Sequence, residues 1–167
     1  MDKIIKIIKE EWFVLSMNGQ PRMENKQFKL VGVNKIYKWG DNFGNLIKEA
    51  EAELQSRVGE IPGAVNPSER IKYFYSETGM NDGYNYLECV EVADISVVPE
   101  GLTGRMLAQS DFAVFQAKEG TGGEYARHIW LPQSEYKENY GVFGDLEIKN
   151  LEDGSNEFWL PVEPKNQ

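Results

Sequence analysis

Cysteine and histidine are nearly absent from this chain of 167 residues, which holds one of each, Cys89 and His128. A lone cysteine excludes an intrachain disulfide and gives no support to an oxidising compartment. One Cys and one His cannot build a tetrahedral zinc site. A histidine-based nucleophile would need a partner motif such as G-x-S-x-G, and none occurs. Neither a phosphate-cradling P-loop nor a G-x-G-x-x-G fingerprint is present. No metal and no cofactor is therefore expected. Long apolar runs are missing as well, and stretches such as Ile95–Val98 are far shorter than a membrane span of about 20 residues. Basic charge is scarce: 18 Lys and Arg against 27 Asp and Glu leave a net charge of −9. Such a surface repels phosphate backbones and attracts small organic cations, so no direct DNA binding is expected. The first residues carry Lys without a continuous apolar core or a cleavage site, which reads as a cytoplasmic protein without a signal peptide.

Aromatic residues are abundant. Eight Phe, eight Tyr and four Trp, with 41% hydrophobic residues overall, supply a real core and exclude disorder along the whole chain. Residues 1–26 read as an N-terminal extension, in which Ile4, Ile5, Ile7, Ile8 and Trp12 form either one helical stripe or a short strand. Residues 27–167 read as a single domain. Phe28–Trp39 has strand composition, and Gly40-Asp41-Asn42 breaks it and offers a helix cap. Phe43, Leu46, Ile47, Ala50 and Leu54 then recur at helical steps, predicting a helix over Phe43–Arg57. Strands are predicted at Ile71–Ser76 and Tyr84–Val92, with a turn at 79–83.

A comparable order follows. Leu102–Lys118 reads as two strands or as one bent at Ser110-Asp111. Glu124–Leu131 reads as a short helix ending before Pro132. Phe143–Lys149 and Asn156–Val162 read as strands around the turn Glu152-Asp153-Gly154. Ile61-Pro62 and Leu131-Pro132 each follow a helix, at the same offset that separates Tyr84–Val92 from Gly154–Val162. The expected fold class is α+β: two β-α-β-β units, at about 27–95 and 96–164, related by a pseudo-twofold axis. They would form a joined antiparallel sheet, with helices on one face and a ligand groove between the halves on the other.

Most carboxylates belong to solvated faces. Two sit in apolar strands: Glu88 inside Tyr84–Val92, and Glu157 at the start of Glu157-Phe158-Trp159-Leu160. Each either reaches solvent at an edge or faces a cavity, where it must meet a cation, a hydrogen-bond donor or a proton. Tyr84 and Tyr86 share one strand face, and Glu157 and Trp159 share another. An aromatic stripe of this kind builds a core, while a carboxylate alternating with Trp also makes a cation-binding box. His128 reads as a surface or half-buried helix residue, and Cys89 as a small buried hydrophobe.

Several segments resemble one family. Phe28-Lys29-Leu30-Val31-Gly32 is similar to the opening of GyrI-like proteins, the bacterial transcription activator effector-binding domain. Val98-Pro99-Glu100-Gly101-Leu102 with Phe112-Ala113-Val114-Phe115 resembles its "VPEG…YAVF" segment. Ile129-Trp130-Leu131-Pro132-Gln133-Ser134-Glu135-Tyr136 resembles its "WLPxSGY" segment, with Glu135 in place of the usual Gly. Glu157-Phe158-Trp159-Leu160-Pro161-Val162 resembles its closing "E-I-W-I-P-V". The likeness runs from about Gln27 to Pro164. It implies a pocket for amphipathic, often cationic, small molecules, with Glu157 as the buried carboxylate and Trp159, Trp130, Tyr86, Tyr84 and Phe115 as candidate lining. The segment ahead of Gln27 is too short for a helix-turn-helix, so the resemblance implies a stand-alone member, similar to integron-associated effector-binding proteins. Stand-alone relatives also suggest two other roles. One is a hydrolase of cyclopropane-bearing toxins using Glu157, and the other is a gyrase-inhibitor-like protein with a protein partner.

Overall fold

The computed structural model describes residues 19–76, 82–142 and 144–166. The apolar stripe read at Ile4–Trp12 and most of the turn read at 79–83 lie outside these residues. Strand β1 (Arg22–Lys38) starts ahead of the Phe28 boundary suggested by composition. Asn42 caps helix α1 (Phe43–Arg57), its Oδ1 accepting from the Asn45 N–H at 3.1 Å, and the helix has the predicted bounds. Strands β2 (Glu69–Tyr75) and β3 (Gly83–Glu91) complete a β-α-β-β unit. The order recurs in β4 (Thr103–Gln116), a helical segment α2, β6 (Asp145–Asn150) and β7 (Asn156–Pro164), with a short β5 (Tyr136–Glu138) inserted.

Segment α2 runs through Gly122–Tyr125, a π turn at Ala126–Trp130 and a last turn at Leu131–Gln133. The expected stop before Pro132 does not occur. The chain widens into the π turn directly ahead of the proline, which lacks the N–H that a tight i−4 bond needs. Arg127 then ties α2 to the strands, donating to Glu138 at 2.8 Å and to Asp145 at 2.5 Å.

The described strands form one antiparallel sheet in the order β4-β1-β3-β2-β6-β7-β5, and β4 also pairs with β7. The pairings therefore close on themselves, and the sheet has an inner and an outer face. Phe28, Leu30, Ile71, Tyr73, Leu87, Cys89, Phe112, Leu146 and Trp159 belong to the inner cluster. On the outer face α1 buries Ala50 and Leu54 against Val31, Val33, Tyr86 and Val90. α2 buries Ala126 on Ala113, Phe115, Phe158 and Leu160. Both helices thus cover one face and leave the other free for a groove, as expected from the duplicated order. No helix among the described residues is long and apolar enough to cross a membrane.

Strand β4 is one strand with a bulge, not two. Lys26 pairs with Ser110 and Phe28 with Leu107, so β4 spends one residue more than β1 over that interval. The extra residue reverses which side chains face inward. Leu107 is inside ahead of the bulge, and Phe112 and Val114 are inside after it. β4 pairs with β1 along Thr103–Val114 on one edge and with β7 along Asp111–Gln116 on the other, while keeping apolar groups on both faces.

Gly32 is required by close approach. A Cβ on Gly32 would lie 2.0 Å from the Glu88 carbonyl oxygen and 2.5 Å from Cys89 Cα. Gly32 pairs with Cys89 in the centre of the sheet, where neither strand can retreat. Gly32→Ala is expected to cost about 3 kcal/mol, the upper part of the range for overpacking. Urea unfolding would read this as a lower midpoint at unchanged slope.

Candidate functional site

Glu157 and Trp159 are two residues apart on β7, so both point to the inner face. The Trp159 Nε1–H donates to Glu157 Oε2 at 3.0 Å. Gln116, opposite Glu157 on β4, donates to Oε1 at 2.9 Å. Arg22, at the start of β1, closes the set: its Nη1 donates to Oε1 at 2.6 Å and its Nη2 to Oε2 at 3.0 Å. The guanidinium carbon also lies 5.6 Å from the Trp159 ring centre. Burial alone would raise the Glu157 carboxyl, but the hydrogen bonds from Arg22, Trp159 and Gln116 outweigh it and hold it below the usual range. In turn, hydrogen bonding to Glu157 raises Arg22 against its partial desolvation.

The cluster continues around Trp159. Its ring packs edge-on against Phe28 at 5.3 Å and Phe112 at 5.7 Å. Lys26 Nζ stands 4.6 Å from the Phe28 ring centre and 5.9 Å from that of Trp159, and it pairs with Glu91 at 2.8 Å. Glu69, at the start of β2, is raised by burial, opposed by Lys26 and reinforced by the charges of Glu91 and Glu157. With Glu24, which accepts from Arg22 Nε at 2.9 Å, one end of the inner face carries an aromatic floor, two cations and four carboxylates.

A cavity of about 290 Å³ opens elsewhere on the inner face, lined by Tyr73, Tyr75, Arg105, Leu107 and Val142. The Tyr73 and Tyr75 rings stack at 4.8 Å, with Arg105 at 4.5 Å from the Tyr75 centre. The Tyr75 hydroxyl donates to Asn34 Oδ1 at 2.7 Å, and burial raises the Tyr73 phenol. None of these residues was singled out in the sequence, although the period-two run Ile71, Tyr73, Tyr75 carries the signal.

No family model matches the chain, and no curated protein does. Solved structures do. SAV2435 bound to tetraphenylphosphonium matches with a TM-score of 0.64 over 86% of this chain and 94% of that one, at 16% identity. The C-terminal domain of EcmrR matches at 0.58 over 87% and 98%, with 13% identity. The integron cassette protein VCH_CASS2 from the mobile metagenome of Vibrio cholerae matches at 0.56 over 86% and 96%, with 10% identity. The chain shares the fold of these structures, the GyrI-like fold. The four sequence segments and the architecture agree on it.

Within the GyrI-like fold the other candidate residues are dispersed. Tyr84 and Tyr86 lie on the outer face, where Phe43 of α1 meets both rings at 5.9 Å. Phe115 is buried beneath α2, with Trp130 edge-on at 5.3 Å and Tyr136 stacked on Trp130. The structure thus brings Trp159 to Glu157, and places Tyr84, Tyr86, Phe115 and Trp130 across the sheet from it. His128 is exposed, 3.5 Å from Glu124 on the same helix, and Cys89 is buried.

Glu88 has a different setting. It is 1% exposed on the outer face, where it accepts from the Tyr86 hydroxyl and from Lys72 at 3.1 Å. Burial raises the Glu88 carboxyl, against the charge of Lys72 and the Tyr86 hydrogen bond. Burial would lower the Lys72 ammonium, but Glu88 and Glu51 overcome it and hold it above its ordinary value. The group lies at the floor of a second cavity, about 420 Å³, between α1 and the strands.

Proposed function

We propose that this chain binds small amphipathic cations on the inner face of its sheet, with Glu157 as counter-ion and Trp159 as the aromatic wall. One observation carries the reading: a guanidinium already sits on both oxygens of Glu157 and over the Trp159 ring. The position is therefore chemically competent for a cation. Carboxylate attraction and a ring face act together there, at a depth where water screens less than in bulk. An aromatic ligand body adds roughly 25 cal/mol per Å² of its own apolar surface that it buries there. That SAV2435 was solved with tetraphenylphosphonium, on the same fold, supports the class of ligand. A carboxylate held this firmly in its ionised form is a weak base at neutral pH, which favours binding over hydrolysis.

The test is calorimetry with two aromatic cations, tetraphenylphosphonium and 2-naphthamidinium, alongside tryptophan fluorescence. Saturable binding is expected, with a fluorescence change that Trp159→Phe removes. Mass spectrometry should recover each ligand unchanged. Absence of binding for both cations would overturn the reading.

A further inference from the structure

We propose that Arg22 is an internal occupant of the cation position, and that the ligand class for this position is a planar, N–H-donating cation, an amidinium or guanidinium on an aromatic body, which binds by displacing it. The proposal rests on the cation-binding reading above and adds the chemistry of the head group and the competitor.

The hydrogen bonds around Glu157 carry the argument. Oε1 accepts from Arg22 Nη1 and Gln116 Nε2, and Oε2 accepts from Arg22 Nη2 and Trp159 Nε1. Each oxygen has two donors, so the carboxylate has little capacity for another cation while Arg22 stays. A ligand that reaches Glu157 must expel the guanidinium and forfeit two charge-assisted bonds. A planar fork returns both in the same geometry, with its cationic carbon within cation–π reach of the same indole. A quaternary ammonium or phosphonium offers no N–H, and leaves two acceptor positions of a half-buried carboxylate unfilled.

The surroundings permit this exchange. Arg22 is the first residue of β1, and its side chain is 44% exposed, so its departure uncovers no core. Its Nε already donates to Glu24 at 2.9 Å, which offers the displaced guanidinium a second anchor. Lys26 is differently held. It is paired to Glu91 and stands over Phe28, so it stays and flanks the vacated position. Gln116 and Trp159 keep the Glu157 oxygens aimed during the exchange.

Three probes share one ring system and differ in the head: 2-naphthamidinium, (2-naphthylmethyl)trimethylammonium and neutral 2-naphthamide. Calorimetry with the full chain is expected to rank the amidinium about fivefold or more above the quaternary ammonium. Arg22→Gln is expected to tighten both cations by about tenfold and to leave the neutral amide unchanged. Arg22→Lys keeps the charge but loses the fork. It should tighten amidinium binding part of the way, whereas a purely long-range charge effect predicts no gain. Thermal melts confirm that the variants fold.

Equal affinity of wild type and Arg22→Gln for cations that do bind would overturn Arg22 as occupant and leave the cation reading standing. No gain in Arg22→Lys would overturn it in the same way. Equal affinity for amidinium and quaternary ammonium would overturn the ligand class. Failure of every cation with every variant would overturn the cation reading, and this proposal with it.

Discussion

Glu157→Gln is expected to weaken 2-naphthamidinium binding by about 30-fold, the equivalent of a partly desolvated cation contact of about 2 kcal/mol. The neutral 2-naphthamide should change by less than about twofold, because the substitution keeps shape and removes charge. Two ligands with two proteins form a closed cycle whose coupling isolates the charge. Glu157 is 21% exposed, so the effect should exceed that of an open surface pair and fall with added salt. The pH profile follows from the same hydrogen bonds. Because Arg22, Trp159 and Gln116 hold the carboxyl below its usual range, cation affinity should be flat from neutral to mildly acidic pH. It should fall only as the pH drops through that lowered value. Equal losses for the cation and its neutral analogue would overturn charge recognition at Glu157.

Lys72→Met should be the most damaging single change to stability. The Lys72 side chain is 8% exposed and bridges Glu51 at 2.7 Å and Glu88 at 3.1 Å. Removing it leaves the buried Glu88 carboxylate to the Tyr86 hydroxyl. Breaking one side of a buried pair costs about 3–5 kcal/mol, largely as the uncompensated charge. The Glu88 carboxyl is already raised by burial in the native protein. Its protonated form is therefore favoured by folding at low pH, and that contribution is lost as pH rises through the raised value. In Lys72→Met the opposing cation is gone, the value rises further, and the penalty should grow from pH 5 to pH 8. Denaturant unfolding at both pH values measures it. Lys72→Met/Glu88→Leu should recover most of the loss, since replacing both members of a buried pair is often near neutral. A Lys72→Met penalty under about 1 kcal/mol at pH 8, the range of an exposed pair, would show that the pair contributes no more than a surface one.

Local features were legible in the sequence wherever one segment sets its own structure. α1 follows from the recurrence of Phe43, Leu46, Ile47, Ala50 and Leu54 with Asn42 as cap, and its bounds agree with the structure. The duplicated order and the Glu157–Trp159 face follow from strand period. What was not legible depends on residues distant in the chain. Tyr84 and Tyr86 do share a face, but only the pairing of β3 with β1 and the seating of α1 make that face the outer one. Phe115 is separated from the inner face by the β4 bulge; Ser110-Asp111 suggests a bend at that place, but not which side chains it turns inward. Arg22 meets Glu157 because β1 and β7 both pair with β4, bringing together residues 135 positions apart. Arg22 also precedes the domain boundary that composition places at Gln27, and nothing local marks it as part of a site.

The β4 bulge also says something about how this chain tolerates changes in length. At Glu152-Asp153-Gly154, between β6 and β7, an inserted or deleted residue alters only an exposed tip. Between Ala108 and Asp111 the same event would exchange inside for outside along the rest of β4. Phe112 and Val114 would turn toward α2, and Ala113 and Phe115 would turn toward Trp159. All four side chains would still be apolar, and the composition would be almost unchanged. For this segment the inheritable constraint is the number of residues more than their kind, so lineages with this sheet should vary freely here in residue type while keeping the count.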